Sequence, residues 1–431
     1  MLARTALRLA FVALLVALVT ACEDVDDVDE LAIDTDVGVT DEPCPDAVNE
    51  GNGCIYLGAL SDDPGGEFGA IAEQLTAAQA AFWARVNERG GIGGYDIDVT
   101  THVHVTGAEP EGHRAAFEEL RAEVLALTQT LGAAATAEIL DDLDDEDMLA
   151  VPASATSAWL FTDVILESGA SYCVAAANAL DHAVDELDEV ETVLAVHYRG
   201  QYGADAAAGV SYAADAHDVE FVAVETRPGA EEQAAAIDEV LAEQPDVLFV
   251  ATGPLEMSTI ASQAAARGFD GHVLGPAPTW DPALLESPAA ELFEERYWLA
   301  AAWPPWDADT PGHEALRDAL DDAAPRDGYL AGWISQYPLQ AAIEAAFDRG
   351  DLTRAGLRAA LEDLDEVDYE GMLPGGAGHF AGEDPDDQAV RESLVLQVDP
   401  EASTGTSVRA DFFAGSTIAD VELTRPCFEE L

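Results

Sequence analysis

Two short polar segments, each at the end of an apolar run, could together hold a small polar or anionic group. Their residues are Gln129, Thr130, Ser154, Ala155 and Thr156. The stretch 126–159 has the pattern of strand, glycine turn, alanine-rich helix, strand and loop, so both segments leave the carboxyl ends of strands. Ligands of open α/β sheets bind at that edge, where hydroxyl and backbone N–H groups can hold an anion. The alternative is that the Ser and Thr side chains only cap the following helices.

The charge of the chain excludes some classes of partner. Its 431 residues include 85 Asp and Glu against 18 Lys and Arg, which gives a formal net charge of −67 at pH 7. So acidic a surface repels nucleic acid and anionic membranes. We interpret the charge as adaptation to saline surroundings, where repulsion between carboxylates is screened. Steering of a cationic ligand is the alternative.

The N-terminus has the pattern of a lipoprotein signal. Arg4 and Arg8 precede an apolar stretch over residues 9–19, which is too short to span a bilayer comfortably. The motif VTAC, which ends at Cys22, resembles the lipobox of bacterial lipoproteins. The sequence therefore predicts a signal peptide over residues 1–22, export, and anchoring only through a lipid on Cys22. The alternative is an ordinary cleaved signal with a chance cysteine.

Export makes disulfides possible for the four remaining cysteines. An even number predicts two bridges, for which three pairings are possible. We expect Cys44–Cys54, which would close a short loop beside the first strand, and Cys173–Cys427, which would tie down the C-terminus. Residues 23–53 are rich in Asp and Glu without periodicity, and we expect them to form a flexible acidic tether.

From residue 54 onward, apolar runs alternate with helical patterns. This rhythm predicts an α/β fold with parallel sheets covered on both faces, and the number of strands favours two lobes. Residues 171–176 are predicted to form one of the strands. His102 and His104 share a face of a predicted edge strand and could bind a metal, but no third ligand accompanies them. We therefore expect no metal site and no cofactor.

Several motifs, in this order, resemble the Leu/Ile/Val-type periplasmic binding proteins, the solute receptors of ABC importers. They are IYLGALSD, RVNERGGIGGYDIDV, VPASATS, VLAVHYRGQYGADAAAGV, QPDVLFVATGPLE and ARGFDGHVLGP. The resemblance implies two Rossmann-like lobes with parallel sheets, joined by a three-segment hinge, in the fold of type I periplasmic binding proteins. The first lobe would comprise about 54–172 and 303–366, and the second about 173–302 and 367–431.

The resemblance also assigns roles to residues. Ser154, Ala155 and Thr156 would hold the carboxylate or ammonium of the ligand, and the turn at Gln129 and Thr130 would supply backbone donors. In the second lobe, Tyr202 would cover the ligand, and Thr252 and Gly253 would line the far wall. Phe68 stands where the family often has an aromatic lid.

The chain departs from the leucine-binding members at one position. Those proteins place an acidic residue after a Gly-Pro pair, where it binds the ammonium of the ligand, and this chain has Ala277 there. Asp281 or Glu256 could substitute for it, or Trp280 could provide a cation–π contact. Core packing is the alternative role of Trp280. The ligand is therefore left open between an amino-acid-like molecule and another carboxylate.

The resemblance implies a function in binding and not in catalysis. We expect a monomeric, extracytoplasmic, lipid-anchored solute-binding protein whose partners are a small-molecule ligand and the permease subunits of an ABC importer. A lipid-anchored ligand sensor that reports to a signalling partner is one alternative. An exported hydrolase is another, although the chain has no G-x-S-x-G or H-E-x-x-H motif.

Overall fold

In a computed structural model, the described residues are 33–63, 69–107, 109–321, 323–382 and 384–431. The predicted signal peptide, Cys22 and Phe68 lie outside them. The strands are β1 (Asp34–Thr35), β2 (Val39–Thr40), β3 (Gly53–Ser61), β4 (Tyr95–Val105), β5 (Ala126–Thr130), β6 (Ala150–Pro152), β7 (Thr192–Tyr198), β8 (Glu220–Thr226), β9 (Val247–Ala251), β10 (His272–Pro276), β11 (Tyr297–Ala301), β12 (Asp351–Leu352), β13 (Ser393–Val398) and β14 (Thr406–Phe413).

The helices surround these strands. They are α1 (Gly69–Glu88), α2 (Pro110–Leu120), α3 (Ala133–Ala137), α4 (Leu140–Asp145), α5 (Tyr172–Glu186), α6 (Gln201–Ala216), α7 (Ala234–Glu243), α8 (Pro254–Ala266), α9 (Ala290–Arg296), α10 (Pro311–Ala319), α11 (Asp327–Ile334), α12 (Tyr337–Arg349), α13 (Arg354–Ala360), α14 (Pro385–Gln388) and α15 (Ser416–Asp420). Within the described part of the chain, no helix is both long and apolar enough to cross a membrane.

The first lobe is built on a sheet in which β3 pairs in parallel with β4 on one side and β5 on the other, and β5 pairs with β6. One face packs around Trp83 and Trp333, and the opposite face around Phe117 and Leu143. Both faces are covered, as the β–α rhythm predicted. Among the described strands, β4 pairs only with β3, so it is the expected edge strand.

The second lobe has a seven-stranded sheet with the order β14-β13-β11-β10-β9-β7-β8. Strands β7, β8, β9, β10 and β11 pair with one another in parallel, as expected. At the edge beyond β11 the sheet continues with two antiparallel pairs, β11–β13 and β13–β14. The second pair is joined by a short turn, and neighbours joined in this way run antiparallel.

The chain passes between the two lobes three times, as the resemblance predicted. The passages lie within residues 166–170, 301–303 and 377–394, whose ends pack in different cores. Val367 and Tyr369 pack in the core of the first lobe. These three passages define the hinge.

The predicted strand over residues 171–176 is wrong, because this stretch begins α5. Ser171 caps the helix, and its side chain accepts a hydrogen bond from the backbone N–H of Val174. Most residues of the first three turns are buried on all sides. A helix that is apolar all round has no 3.6-residue period, and its sequence is therefore similar to that of a buried strand.

The described part of the predicted tether is folded onto the first lobe. β1 pairs with β12, and β2 pairs with the start of β3. Both predicted disulfides are present, Cys44–Cys54 with a Cα–Cα distance of 4.9 Å and Cys173–Cys427 with 6.4 Å. The first bridge fixes the segment around Cys44, which was predicted to be part of the tether, to β3. The second bridge fixes the C-terminus to α5.

Candidate functional site

The loop after β6 lies beside the end of β5 at the carboxyl edge of the first sheet. The backbone N–H of Ala153 donates to the carbonyl of Thr130 at 2.9 Å. Thr156 is fully buried and caps the following 3₁₀ turn, since its Oγ1 accepts from the N–H of Ala158 at 3.4 Å. The Oγ of Ser154 is also buried, but it has no hydrogen-bond partner among the described residues. Ser154, and not Thr156, therefore offers a free hydroxyl.

The side chains of Gln129 and Thr130 turn into the first lobe. Thr130 Oγ1 lies 2.6 Å from His113 Nε2 and 2.9 Å from Thr136 Oγ1. Gln129 Nε2 donates to Ser61 Oγ at 2.9 Å. Burial lowers the pKa of His113 to about 4, so the ring is neutral and its hydrogen bonds are those of a structural link. These side chains hold the loop in place and leave only their backbone for a ligand.

The predicted residues of the second lobe lie together. The Oη of Tyr202, in the first turn of α6, donates to the carbonyl of Thr252 at 3.0 Å. Gly253 follows Thr252 and is the N-cap residue of α8. A Cβ at Gly253 would lie 2.9 Å from Glu256 Oε2, so a larger residue would crowd this turn. Burial raises the pKa of Tyr202 well above its ordinary value, which keeps the phenol neutral.

Tyr172 joins the predicted residues of the two lobes. Its backbone N–H donates to the carbonyl of Ala155 at 2.7 Å. Its ring meets the ring of Tyr202 edge-on, with 4.9 Å between the centroids. Ala155, Tyr172, Tyr202 and Thr252 thus form a continuous row of contacts, which we call the tyrosine bridge. The sequence analysis missed Tyr172 because it assigned this position to a strand.

Gln201, next to Tyr202, is a second residue that the sequence analysis missed. Its Oε1 is buried without a hydrogen-bond partner in the described chain. A carbonyl oxygen can only accept, so a ligand N–H or O–H group would satisfy it. The signal available in the sequence was its position at the start of a helix after a strand, beside Tyr202.

The proposed substitutes for the missing ammonium-binding acid are otherwise engaged. Glu256 Oε1 accepts from the N–H of Gly229 at 2.7 Å, and Asp281 Oδ1 from the N–H of Ala283 at 2.8 Å. Trp280 lies in the core of the second lobe, where its Nε1 donates to the carbonyl of Thr404 at 2.9 Å. Core packing, the alternative, is thus what the structure has for Trp280.

A buried carboxylate connects the lobes beside the tyrosine bridge. Asp205 of α6 accepts from the backbone N–H of Ser157 at 2.9 Å and of Cys173 at 3.2 Å. Ser157 Oγ also donates to Asp205, and it accepts from the N–H of Cys427 at 2.8 Å. Burial raises the pKa of Asp205 to about 7. No pattern in the sequence indicated this contact.

The described residues contain no group of three or more His, Cys, Asp or Glu side chains that could hold a metal ion. His104, one of the pair considered from the sequence, has its Nδ1 3.6 Å from Glu119 Oε2.

A family model described as periplasmic binding protein matches residues 55–406. No curated protein matches the chain significantly. Among solved structures, a fatty acid ABC transporter substrate-binding protein from Thermomonospora curvata is 25% identical, with a TM-score of 0.80 over 90% of this chain and 97% of that one.

Two further structures are similar in fold. A branched chain amino acid ABC transporter from Thermus thermophilus with bound valine is 15% identical, with a TM-score of 0.71 over 85% of this chain and 98% of that one. A leucine binding protein from Thermotoga maritima is 16% identical, with a TM-score of 0.67 over 83% of this chain and 98% of that one.

Proposed function

The chain belongs to the periplasmic binding protein family, as its motifs predicted, and we propose that it is the lipid-anchored solute-binding component of an ABC importer. Its role is to bind a small molecule between the lobes and to deliver it to permease subunits, without chemical change to the ligand. The proposed anchor at Cys22 rests on the sequence pattern alone.

The tyrosine bridge is the observation that supports a cleft site. It joins the loop after β6 of the first lobe to the loops after β7 and β9 of the second, which are the carboxyl edges of both sheets. The hinge passages let the lobes change their angle around this row. A ligand held there touches both lobes and stabilises the closed arrangement.

We propose a ligand that has a carboxylate and an apolar body. The names of the similar structures mention a fatty acid and branched-chain amino acids, which share these two features. The free hydroxyl of Ser154 can donate to a carboxylate oxygen. Glu256 Oε1 and Asp281 Oδ1 each accept one backbone hydrogen bond, which leaves the second oxygen of each carboxylate for an ammonium. The proposal therefore covers both an amino acid and a carboxylate without an α-amino group.

Release of the bound molecule tests this proposal. The purified protein is denatured, the released compound is identified by mass spectrometry, and it is then titrated back by calorimetry. We expect an apolar carboxylate. Tyr202→Phe should weaken its binding by up to about tenfold, because it removes the hydrogen bond to the carbonyl of Thr252 that positions the ring beside the ligand, and such a bond contributes ~0.5–1.5 kcal/mol.

Tyr212→Phe on the same helix is the matched control, since the Tyr212 hydroxyl contacts Glu430 and not the tyrosine bridge. Equal affinity of Tyr202→Phe and wild type would show that the site lies elsewhere. Loss of uptake of the identified compound on deletion of the gene would distinguish an importer component from a sensor.

A further inference from the structure

A cavity of about 610 Å³ lies beside the hinge, apart from the tyrosine bridge. Its volume is in the range of pockets that hold small organic molecules, about 300–1,000 Å³. Trp159 and Ile165 of the first lobe line it together with Val174 and Leu423 of the second. Parts of two hinge passages, Glu167 with Gly169 and residues 388–390, complete the wall.

The charged side chains of the lining do not favour an anion. The described lining includes the carboxylates of Asp163, Glu167 and Glu362 but one guanidinium, that of Arg358. That guanidinium is already engaged, because it pairs with Asp144 and Asp147 at 2.8 and 2.9 Å. Arg358 also pairs with Asp163 at 3.5 Å, so this guanidinium has three carboxylate partners and is not free for an anionic occupant.

Glu167 supplies a specific contact within this cavity. Its Oε1 is buried and has no hydrogen-bond partner among the described residues. Burial raises the pKa of Glu167 well above its ordinary value, and the carboxyl of Asp205 raises it further, so Glu167 holds its own proton firmly. A buried acceptor without a donor is costly, so an N–H group placed here would be stabilising.

We propose that this cavity, the hinge pocket, is a second ligand site that binds a small organic amine with an apolar body. The protonated amine donates to Glu167, and the apolar body packs against Trp159 and Phe380. An occupant contacts both lobes and two hinge passages at once. It therefore holds the lobes at one angle and acts on the cleft from outside it.

Titration of the purified protein with phenethylamine tests the hinge pocket. The titration is followed by calorimetry at about 1 M salt, where the Debye length is about 3 Å and diffuse attraction to the acidic surface is screened. We expect saturable binding at one site. The anion 3-phenylpropionate, of similar size and shape, should bind at least tenfold more weakly.

Two variants locate the site. Glu167→Gln keeps the size of the side chain and should lower the affinity for phenethylamine at least tenfold. Ala389→Phe fills the cavity without changing its charge and should also abolish binding, which provides a test if the first variant does not fold. Glu243→Gln, an exposed change in α7, and Ser154→Ala, in the cleft, should leave the affinity unchanged.

Four results would overturn the proposal. The first is no saturable binding of phenethylamine, and the second is equal binding of the amine and the anion. The third is wild-type affinity in folded Glu167→Gln, because Glu167 would then be only a buried, protonated carboxyl. Loss of amine binding in Ser154→Ala would assign the amine to the cleft and would equally contradict the hinge pocket.

Discussion

Asp205 accepts a hydrogen bond from the backbone N–H of Ser157 at 2.9 Å, and this bond joins a helix of the second lobe to the 3₁₀ turn after β6 of the first. The carboxylate is fully buried beside the tyrosine bridge. Because this hydrogen bond spans the two lobes, a change in the angle between them acts on it directly. The protonation state of Asp205 therefore affects both the stability of the protein and the movement of the lobes.

The stability of the protein should depend on the protonation of Asp205. Burial raises the pKa of this carboxyl from 3.8 to about 7 in the folded protein. The folded state thus holds the proton more tightly than the unfolded chain, so this contribution to the free energy of unfolding is complete below about pH 4 and is lost as the pH rises to about 7. In urea unfolding, the free energy of unfolding of wild type, relative to that of Asp205→Asn, should fall as the pH rises over this range. A difference independent of pH would contradict the assignment.

Ser154→Ala and Thr156→Ala should separate binding from stability. Ser154 Oγ has no partner in the described protein, so its removal should leave the melting temperature unchanged and weaken ligand binding about tenfold. Thr156 Oγ1 caps a turn, so its loss should cost ~1 kcal/mol of stability. Calorimetry and thermal melts of both variants measure the two effects. If Thr156→Ala weakened ligand binding more than Ser154→Ala did, Thr156 and not Ser154 would be the residue that contacts the ligand.

The two disulfides should differ in their contribution to stability. They join residues 10 and 254 positions apart in the sequence. In the chain-entropy model, the shorter loop stabilises by about 3 kcal/mol and the longer by about 5 kcal/mol. Cys173→Ala with Cys427→Ala should therefore lower the unfolding midpoint more than Cys44→Ala with Cys54→Ala. Equal losses would indicate that the unfolded chain retains structure between Cys173 and Cys427.

The melting temperature should rise with added salt. With a net charge of −67, the folded protein has strong repulsion between its carboxylates. Raising the salt from about 0.1 M to about 1 M shortens the Debye length from about 10 Å to about 3 Å and screens this repulsion. Differential scanning calorimetry across this range provides the measurement. A falling curve would contradict the interpretation of the charge as adaptation to saline surroundings.

Cys22→Ser should release the protein from the membrane. A lipid on this cysteine provides the proposed anchor, and dual acyl chains hold a protein firmly at a bilayer. Fractionation of cells that express each form should place wild type in the membrane fraction and the variant in the soluble one. Equal partitioning would show that the motif at Cys22 is not used.

The strand ends of the first lobe could be predicted because their apolar runs are short and bounded. The run from Cys54 to Leu60 predicted a buried parallel strand, and β3 spans Gly53–Ser61. The same reasoning failed for α5, since a helix buried on all sides carries no period. Patterns of apolar residues report which faces are buried and give no signal where every face is buried.

The sequence predicted where the loops of the candidate site lie, but not the directions of their side chains. The positions of Thr130 and Ser154 followed from the ends of β5 and β6. The direction of the Thr130 side chain did not follow from the sequence, because it is set by the contact with His113 on α2. Local sequence does not reveal such a contact. The contact of Asp205 with Ser157 joins residues 48 positions apart, and only the packing of the lobes brings them together.

The attachment of β1 and β2 to the first lobe has a consequence for how the protein works at a membrane surface. With Cys22 lipidated, the roughly dozen residues to Asp34 reach at most about 40 Å. With the proposed anchor, the connection would join the first lobe, so that lobe would be the one nearer the bilayer. A connection of this length would also confine the receptor to a thin layer above the membrane. There it would meet a permease at an effective concentration that free diffusion could not maintain.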